Sequence, residues 1–582
     1  MNTELLGVIV MFVATLLLAV PLGQYIANVY GGERVWTDII FNPVERLFFK
    51  VSRIDPAQEM GWKQHMTILL TINLTWFFWA MFCLMNQSWL PMNPDHNPSM
   101  TADLAFNTAC SFITNCNLQD YSGETGASYF SQVFGFMFLQ FVSAGTGMAA
   151  AAVVFNALRD KTTEKLGNFY NYLLKSMTRI LLPICILVAT VHVFEGTTMT
   201  FKGMDTMTSI QGDTLHVSRG PVAAMVAIKH VGTNGGGFFG ANSAHPFENP
   251  TYLTNMVQMI AQILIPFAMV FAFGYYIRKR KLAWVFWGVM TVGFLMLVIP
   301  TIQTEIQGNP MITKMGISPI GGNMEGKEVR FGATASAFWS IATTVISTGS
   351  VNAMHDSFMP IAGMNMLLGM MVNAFYGGVG VGFLNFFVYV ILAVFIGGLM
   401  VGRTPEFLGK KIEAREMKIA MICALLHPFL ILVGTALSSY YVAHDTNMGW
   451  WFTDAAGKHN ASGWLNNPTY HGFTEMLYQY TSTSANNGSG FAGLSANNPF
   501  WNISTGIILL LSRYLPIIGP VAIAGSMAIK KFIPEGSGTL KTDTGTFGLL
   551  VFAVKVIIAA LAFFPALALG PIAEWMGTTP CP

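Results

Sequence analysis

The chain is 582 residues long, 53% hydrophobic and only 10% charged, with a formal net charge of +2. Soluble domains carry about 25% charged residues, so this composition cannot build a water-facing surface, and most of the chain must face lipid or itself. The near-neutral charge excludes the strongly basic surface of a nucleic-acid binder.

A membrane helix needs roughly 20 apolar residues. Runs of that kind lie at 5–29, 66–90, 130–157, 175–195, 253–277, 282–302, 379–402, 419–442, 500–528 and 546–574. They predict an all-α polytopic membrane protein with about ten transmembrane helices. The stretch before the first run holds Glu4 and no basic residue, the wrong charge for a cleaved signal peptide, so the run reads as a membrane anchor. Lysine and arginine set the orientation. The segments 30–65, 159–179, 278–281, 403–418 and 529–543 hold 22 of them, against 7 in 86–129, 197–252, 303–358 and 443–499. The first group is therefore expected in the cytoplasm, with both termini outside. Only Arg513 and Lys555 remain within spans. The six cysteines (Cys83, Cys110, Cys116, Cys185, Cys423, Cys581) contain no C-x-x-C pair and read as buried thiols, neither a disulfide framework nor a zinc site.

Each of the four basic-poor segments contains a short apolar stretch that cannot span: 101–114, 221–231, 334–346 and 472–484. A burst of small polar residues follows each one: Thr114-Asn115-Cys116-Asn117, Gly232-Thr233-Asn234-Gly235, Ile346-Ser347-Thr348-Gly349 and Ala485-Asn486-Asn487-Gly488. The shared pattern is two small polar residues and then Gly, with Asn117 in the Gly position of the first copy. These end positions are 118, 114 and 139 residues apart. The pattern reads as a unit of span, half-helix, filter-like turn and span, four times over. The expected division is a flanking span at 1–30, repeats at 60–160, 170–280, 281–403 and 418–530, and a last span with an external tail at 544–582.

Irregular backbone at membrane depth is tolerated only where it lines a cavity or is packed in protein. Four such turns around one axis would present rings of carbonyls, which replace the hydration shell of a potassium ion. Each half-helix would aim its partially negative C-terminal end at the cation. The expected filter is Asn115, Cys116, Asn117, Thr233, Asn234, Gly235, Ser347, Thr348, Gly349, Asn486, Asn487 and Gly488, asymmetric because the copies differ.

Other candidates flank this set. Gln119 either sits at the mouth or hydrogen-bonds the turn. Arg403 follows the apolar run 360–402, which is too long for one span and holds Gly377, Gly378, Gly380 and Gly382. A broken element beneath the third turn is expected there, with Arg403 either at a gate or a positive-inside anchor. Arg513, inside a span, would line the ion route or oppose backflow. Lys555 is expected to snorkel to the cytoplasmic edge. His245, His355 and Asp356 read as turn-stabilising hydrogen bonders, since a metal site needs more converging ligands.

Several longer stretches carry a resemblance: Tyr121-Ser122-Gly123-Glu124, Gly232 to Phe239, His245 to Pro250, Asn323 to Glu328, Met354 to Phe358, Gly402 to Glu406 and Phe491 to Asn497. They cover nearly the whole chain, which resembles the potassium-transporting ATPase A subunit family (KdpA). That resemblance implies a potassium-binding subunit in the bacterial inner membrane. It implies a P-type ATPase partner (KdpB), a single-span partner (KdpC) and a small peptide partner (KdpF), with potassium passed through an intramembrane tunnel to the ATPase. Cys116 and Thr348 stand where family members vary among small polar residues. No nucleotide is expected on this chain. It lacks G-x-x-x-x-G-K-[ST], and Lys541-Thr542-Asp543-Thr544-Gly545-Thr546 lacks the Lys that follows the phosphorylated Asp of a P-type pump. A self-sufficient channel or symporter driven by the membrane potential is the alternative. A membrane-embedded enzyme would need a nucleophile and base, or a metal cluster, converging at one depth, and Arg513 and Lys555 make no such set.

Overall fold

A computed structural model describes residues 3–160, 162–444, 461–534, 536 and 539–578. Cys581 and residues 445–460 of the segment 443–499 expected outside therefore lie beyond the described residues. The protein is all-α and polytopic. Ten helices in the described residues are long and apolar enough to cross a membrane: Glu4–Gly31, Trp62–Asn86, Ser131–Arg159, Phe169–Phe194, Tyr252–Tyr276, Arg280–Lys314, Val381–Met400, Ala414–His444, Pro499–Ala528 and Gly545–Gly577. In hydrocarbon every backbone polar group must be satisfied within its own segment, so apolar runs of this length fold as helices. The second begins four residues before its hydrophobic run. Its polar first turn is part of the helix: Gln64 Oε1 accepts from the Gly61 N–H at 3.0 Å and caps it. Two short hairpins, Asp205–Thr208 with Thr214–Val217 and Glu406–Phe407 with Lys410–Lys411, lie in loops.

Four shorter helices precede the polar bursts: Ala102–Ile113, Val222–Val231, Gly332–Ile346 and Tyr470–Ala485. They are almost wholly buried, because each is ringed by full-length spans. The long run 360–402 is two helices, Pro360–Val372 and Val381–Met400. Between them Asn373, Tyr376, Gly377 and Gly380 take positive φ, and the segment passes directly under the bursts. The Val379 N–H donates to Thr233 Oγ1 at 3.0 Å.

Two expectations about charge are corrected. Lys555 does not snorkel. It is 1% exposed, and its Nζ donates to the Ala374 carbonyl and lies 4.0 Å from the Phe375 ring centroid. The break after Val372 leaves that carbonyl without a helical partner, and the lysine fills the place of the missing N–H. Nor are Arg513 and Lys555 the only charges in spans. Arg179 lies within Phe169–Phe194 and pairs with Glu45 at 2.5 Å and with Asp38. Both acids belong to helix Asp38–Ser52, which turns its acidic side inward and exposes Ile39, Ile40, Val44, Leu47 and Val51.

Candidate functional site

The four bursts form polar loops with one local geometry. In each, a residue at the end of the short helix is left-handed: Asn115 (φ 65), Thr233 (φ 48), Ser347 (φ 61) and Asn486 (φ 53). The next residue donates its N–H to the carbonyl five positions back: Cys116 to Ser111 at 3.0 Å, Asn234 to Lys229 at 2.7 Å, Thr348 to Thr343 at 2.9 Å and Asn487 to Ser482 at 2.8 Å. This is a Schellman motif at the end of every short helix. Glycine usually takes the left-handed position, and another residue there costs roughly 1–2 kcal/mol. Here each side chain offsets that strain with hydrogen bonds. Asn115 Nδ2 donates to the Gly232 and Thr233 carbonyls at 3.0 and 2.9 Å. Ser347 Oγ donates to the Ala485 carbonyl at 2.6 Å. Asn486 Nδ2 donates to Ser512 Oγ at 2.7 Å, and Thr233 accepts from Val379.

The following position is Gly235, Gly349, Gly488 or Asn117, and all but Gly235 are again at positive φ. Alternating handedness turns successive carbonyls toward one side, whereas a strand alternates its groups between two sides. The four loops also meet. A Cβ on Gly235 would fall 2.7 Å from the Cys116 carbonyl oxygen, 3.1 Å from the Thr348 oxygen and 3.1 Å from Gly488 Cα. One residue of the second loop thus touches the first, third and fourth. Bonds between neighbours close the ring. Asn115 links the first loop to the second. His230 Nε2 meets Ser350 Oγ at 2.9 Å between second and third. Ser347 links third to fourth, and Asn502 Nδ2 donates to Asp103 Oδ2 at 2.8 Å from fourth back to first. All twelve residues expected at the filter are thereby brought together.

On one side the loops open into a vestibule of ≈ 890 Å³, whose wall includes Gln119, Asp120, Gly349, Gly488 and Asn497. On the other side Asn115, Ser347 and Asn486 face a cavity of ≈ 20 Å³ shared with Asn373, Gly378 and Arg513. A second small cavity shares Asn373, Asn385 and Ser512 with it and runs on past Tyr389, Cys423 and His427.

Gln119 lines the vestibule and also clips the second loop, accepting from the Gly237 N–H at 2.8 Å and donating to the Gly237 carbonyl at 3.1 Å. Arg513 is buried beneath the loops, and among the described residues no carboxylate forms an ion pair with it. Arg403 is not brought to the loops. It lies beyond the end of Val381–Met400, where its Nη1 donates to the Thr539 carbonyl at 3.2 Å.

Sequence reasoning missed the support behind the second loop. Lys229, fully buried in a short helix, pairs with Glu248 at 2.7 Å and donates to Asn242 Oδ1 at 2.5 Å. Asn242 Nδ2 donates to the Gly235 carbonyl at 2.7 Å. The signal was present: a lysine in a half-length apolar stretch cannot reach water and demands a buried anion. Beside the vestibule, burial pushes the Asp120 carboxyl up to about 6, against hydrogen bonds from Asn107 and Gln479.

The family model described as potassium-transporting ATPase A subunit matches residues 9–576. A protein of Flavobacterium johnsoniae, named potassium-transporting ATPase potassium-binding subunit, is 68% identical over 575 residues, 99% of each chain. Proteins of the same name from Phocaeicola vulgatus and Alicyclobacillus acidocaldarius are 56% and 48% identical, over 99% and 98% of each chain. With a match of this extent, and spans, loops and vestibule in one arrangement, the chain belongs to the KdpA family of potassium-transporting ATPase A subunits.

Proposed function

We propose that this chain is the potassium-binding and translocating subunit of an ATP-driven uptake complex, and that the four polar loops are its selectivity filter. The observation that carries the reading is the contact of all four loops around one point, each with the same helix-terminal motif. Potassium entering the vestibule would exchange water for carbonyl oxygens of the filter positions. The C-terminal ends of four short helices would add their partial negative charge. The recurrence of that motif supports a division into four repeats at 60–160, 170–280, 281–403 and 418–530.

Arg513 then faces the ion as it leaves the filter. Its charge raises the electrostatic barrier to passage straight through, which suits a subunit that must hand its ion onward. The two small cavities that share Asn373, Asn385 and Ser512 support a lateral route between the broken helix of the third repeat and the first span of the fourth. The receiving partner would be a P-type ATPase subunit (KdpB), with KdpC and KdpF completing the complex. The positive-inside count supports a vestibule and both termini on the outer face of the bacterial inner membrane. Arg403 and its bond to the 529–543 loop belong at the cytoplasmic edge, as a gate support or an anchor.

The test is reconstitution in liposomes with and without the ATPase partner, followed by rubidium uptake. Uptake that requires both ATP and the partner is expected. Potential-driven flux through the chain alone would overturn the reading in favour of a self-sufficient channel.

A further inference from the structure

A second set of side chains converges just behind the vestibule wall. Asp356 leaves the third polar loop in a single 3-10 turn, while His471 and Glu475 lie one turn apart on the fourth short helix and so share a face. One ligand atom from each of the three lies within 4.8 Å of the others. His471 Nε2 faces Asp356 Oδ1 at 2.9 Å, and its other ring nitrogen, Nδ1, faces Glu574 Oε1 at 2.9 Å. Asp356 Oδ2 accepts from the Gly493 N–H at 3.0 Å. Glu475 is fully buried; Oε1 accepts from Asn467 Nδ2 at 3.0 Å, and Oε2 has no partner.

The cradle depends on Gly493. A Cβ there would fall 2.2 Å from Glu475 Oε1 and 2.7 Å from Asp356 Oδ2, so only glycine lets both carboxylates close around one point. Hydrogen bonds tie both ring nitrogens of His471 to carboxylates, Nε2 to Asp356 and Nδ1 to Glu574. Three carboxylates still surround that single imidazole, and an unpartnered buried carboxylate oxygen is costly.

We infer that Asp356, His471 and Glu475 form a binding site for a divalent cation of the Zn²⁺ class. The cation displaces the proton on His471 Nε2 and takes the free oxygen of Glu475. The donor set of one imidazole and two carboxylates selects zinc-like ions over Ca²⁺ and Mg²⁺, which prefer oxygen alone. Glu574 holds Nδ1–H and so presents Nε2 to the metal, the carboxylate–histidine–metal arrangement. Three protein ligands leave a fourth position for water. A bound ion ties the exit of the third polar loop to the start of the fourth short helix, and through His471 to helix Ala573–Thr578.

The test uses the full chain in detergent, with any affinity tag removed and metal stripped by chelation, titrated calorimetrically with Zn²⁺ alone. One saturable equivalent per chain is expected, and Co²⁺ in its place should give the intense visible absorption of a low-coordinate site. Glu475→Gln keeps the side-chain volume and should weaken Zn²⁺ at least 100-fold, and His471→Ala should do the same. Glu574→Gln should weaken it about 10-fold, as loss of an orienting carboxylate does. If His471→Ala does not reach the membrane, Glu475→Gln decides. Absence of saturable Zn²⁺ binding, or unchanged affinity in Glu475→Gln, would overturn the site and leave an ion-pair network alone. The readout is metal binding, so it stands apart from any result on potassium transport.

Discussion

Gly488→Ala tests whether the contact of the four loops governs ion selection. Gly488 sits at φ +106, outside the range that residues with a Cβ populate, and an added Cβ would fall 2.1 Å from the Cys116 carbonyl oxygen. An ordinary carbon–oxygen contact is more than 1 Å longer. The carbonyl cannot yield freely, because it accepts the Gly235 N–H at 3.1 Å, so relief in the first loop displaces the second. Left-handed backbone without glycine costs roughly 1–2 kcal/mol, and overpacking a rigid interior adds about 1–3 kcal/mol. If the filter relieves a total near 3 kcal/mol by leaving its ion-binding geometry, potassium affinity falls by up to roughly 100-fold. The assay is rubidium uptake by the assembled complex at limiting potassium, beside a membrane-fraction blot. Gly363→Ala is the control: its Cβ would meet only Phe491 Cζ at 3.7 Å, inside a helix where alanine is favoured, so uptake should be unchanged. Wild-type affinity and selectivity in Gly488→Ala, at normal abundance, would refute the reasoning.

Lys229→Met should lower thermal stability by about 3–5 kcal/mol, because it strands Glu248, which is 0% exposed. Adding Glu248→Gln should recover much of that loss, and a neutral single variant would disprove the pair's role. Asp120, held near 6 by burial, is charged above that pH and neutral below it. Apparent potassium affinity should therefore weaken as external pH falls from 7 to 5, and Asp120→Asn should flatten the profile; a flat wild-type profile would count against it. The purified chain alone should release no phosphate from ATP, and activity abolished by Asp543→Asn would reverse that expectation.

The ten spans and four half-helices were legible because hydropathy and length act locally. A stretch of 10 to 16 residues cannot cross a bilayer, so Val222–Val231 and Tyr470–Ala485 declared themselves. The loops were legible because left-handed backbone selects Gly and Asn, although the left-handed roles of Thr233 and Ser347 were not. What composition cannot reveal is which distant groups meet. Asp356 looked like a turn residue until the fold set it against His471, 115 positions later. Lys555 looked free to snorkel because nothing near it in sequence marks Ala374 as its acceptor.

The buried charges obey a common logic. A buried charge in a membrane protein is costly without a partner, and four of those here meet either an acid or a backbone carbonyl freed by a helix break. Arg179 fastens helix Asp38–Ser52, Lys229 steadies the second loop through Asn242, Lys327 pairs with Glu305 at 2.8 Å behind the third, and Lys555 seals the break after Val372. The three lysines each fix an irregular segment that helix propensity could not hold in place, and Arg179 docks a short helix. Arg513 departs from the pattern: among the described residues no acid pairs with it. An uncompensated guanidinium at that depth weakens folding, and the role proposed above, opposing the straight passage of a cation, would account for that cost.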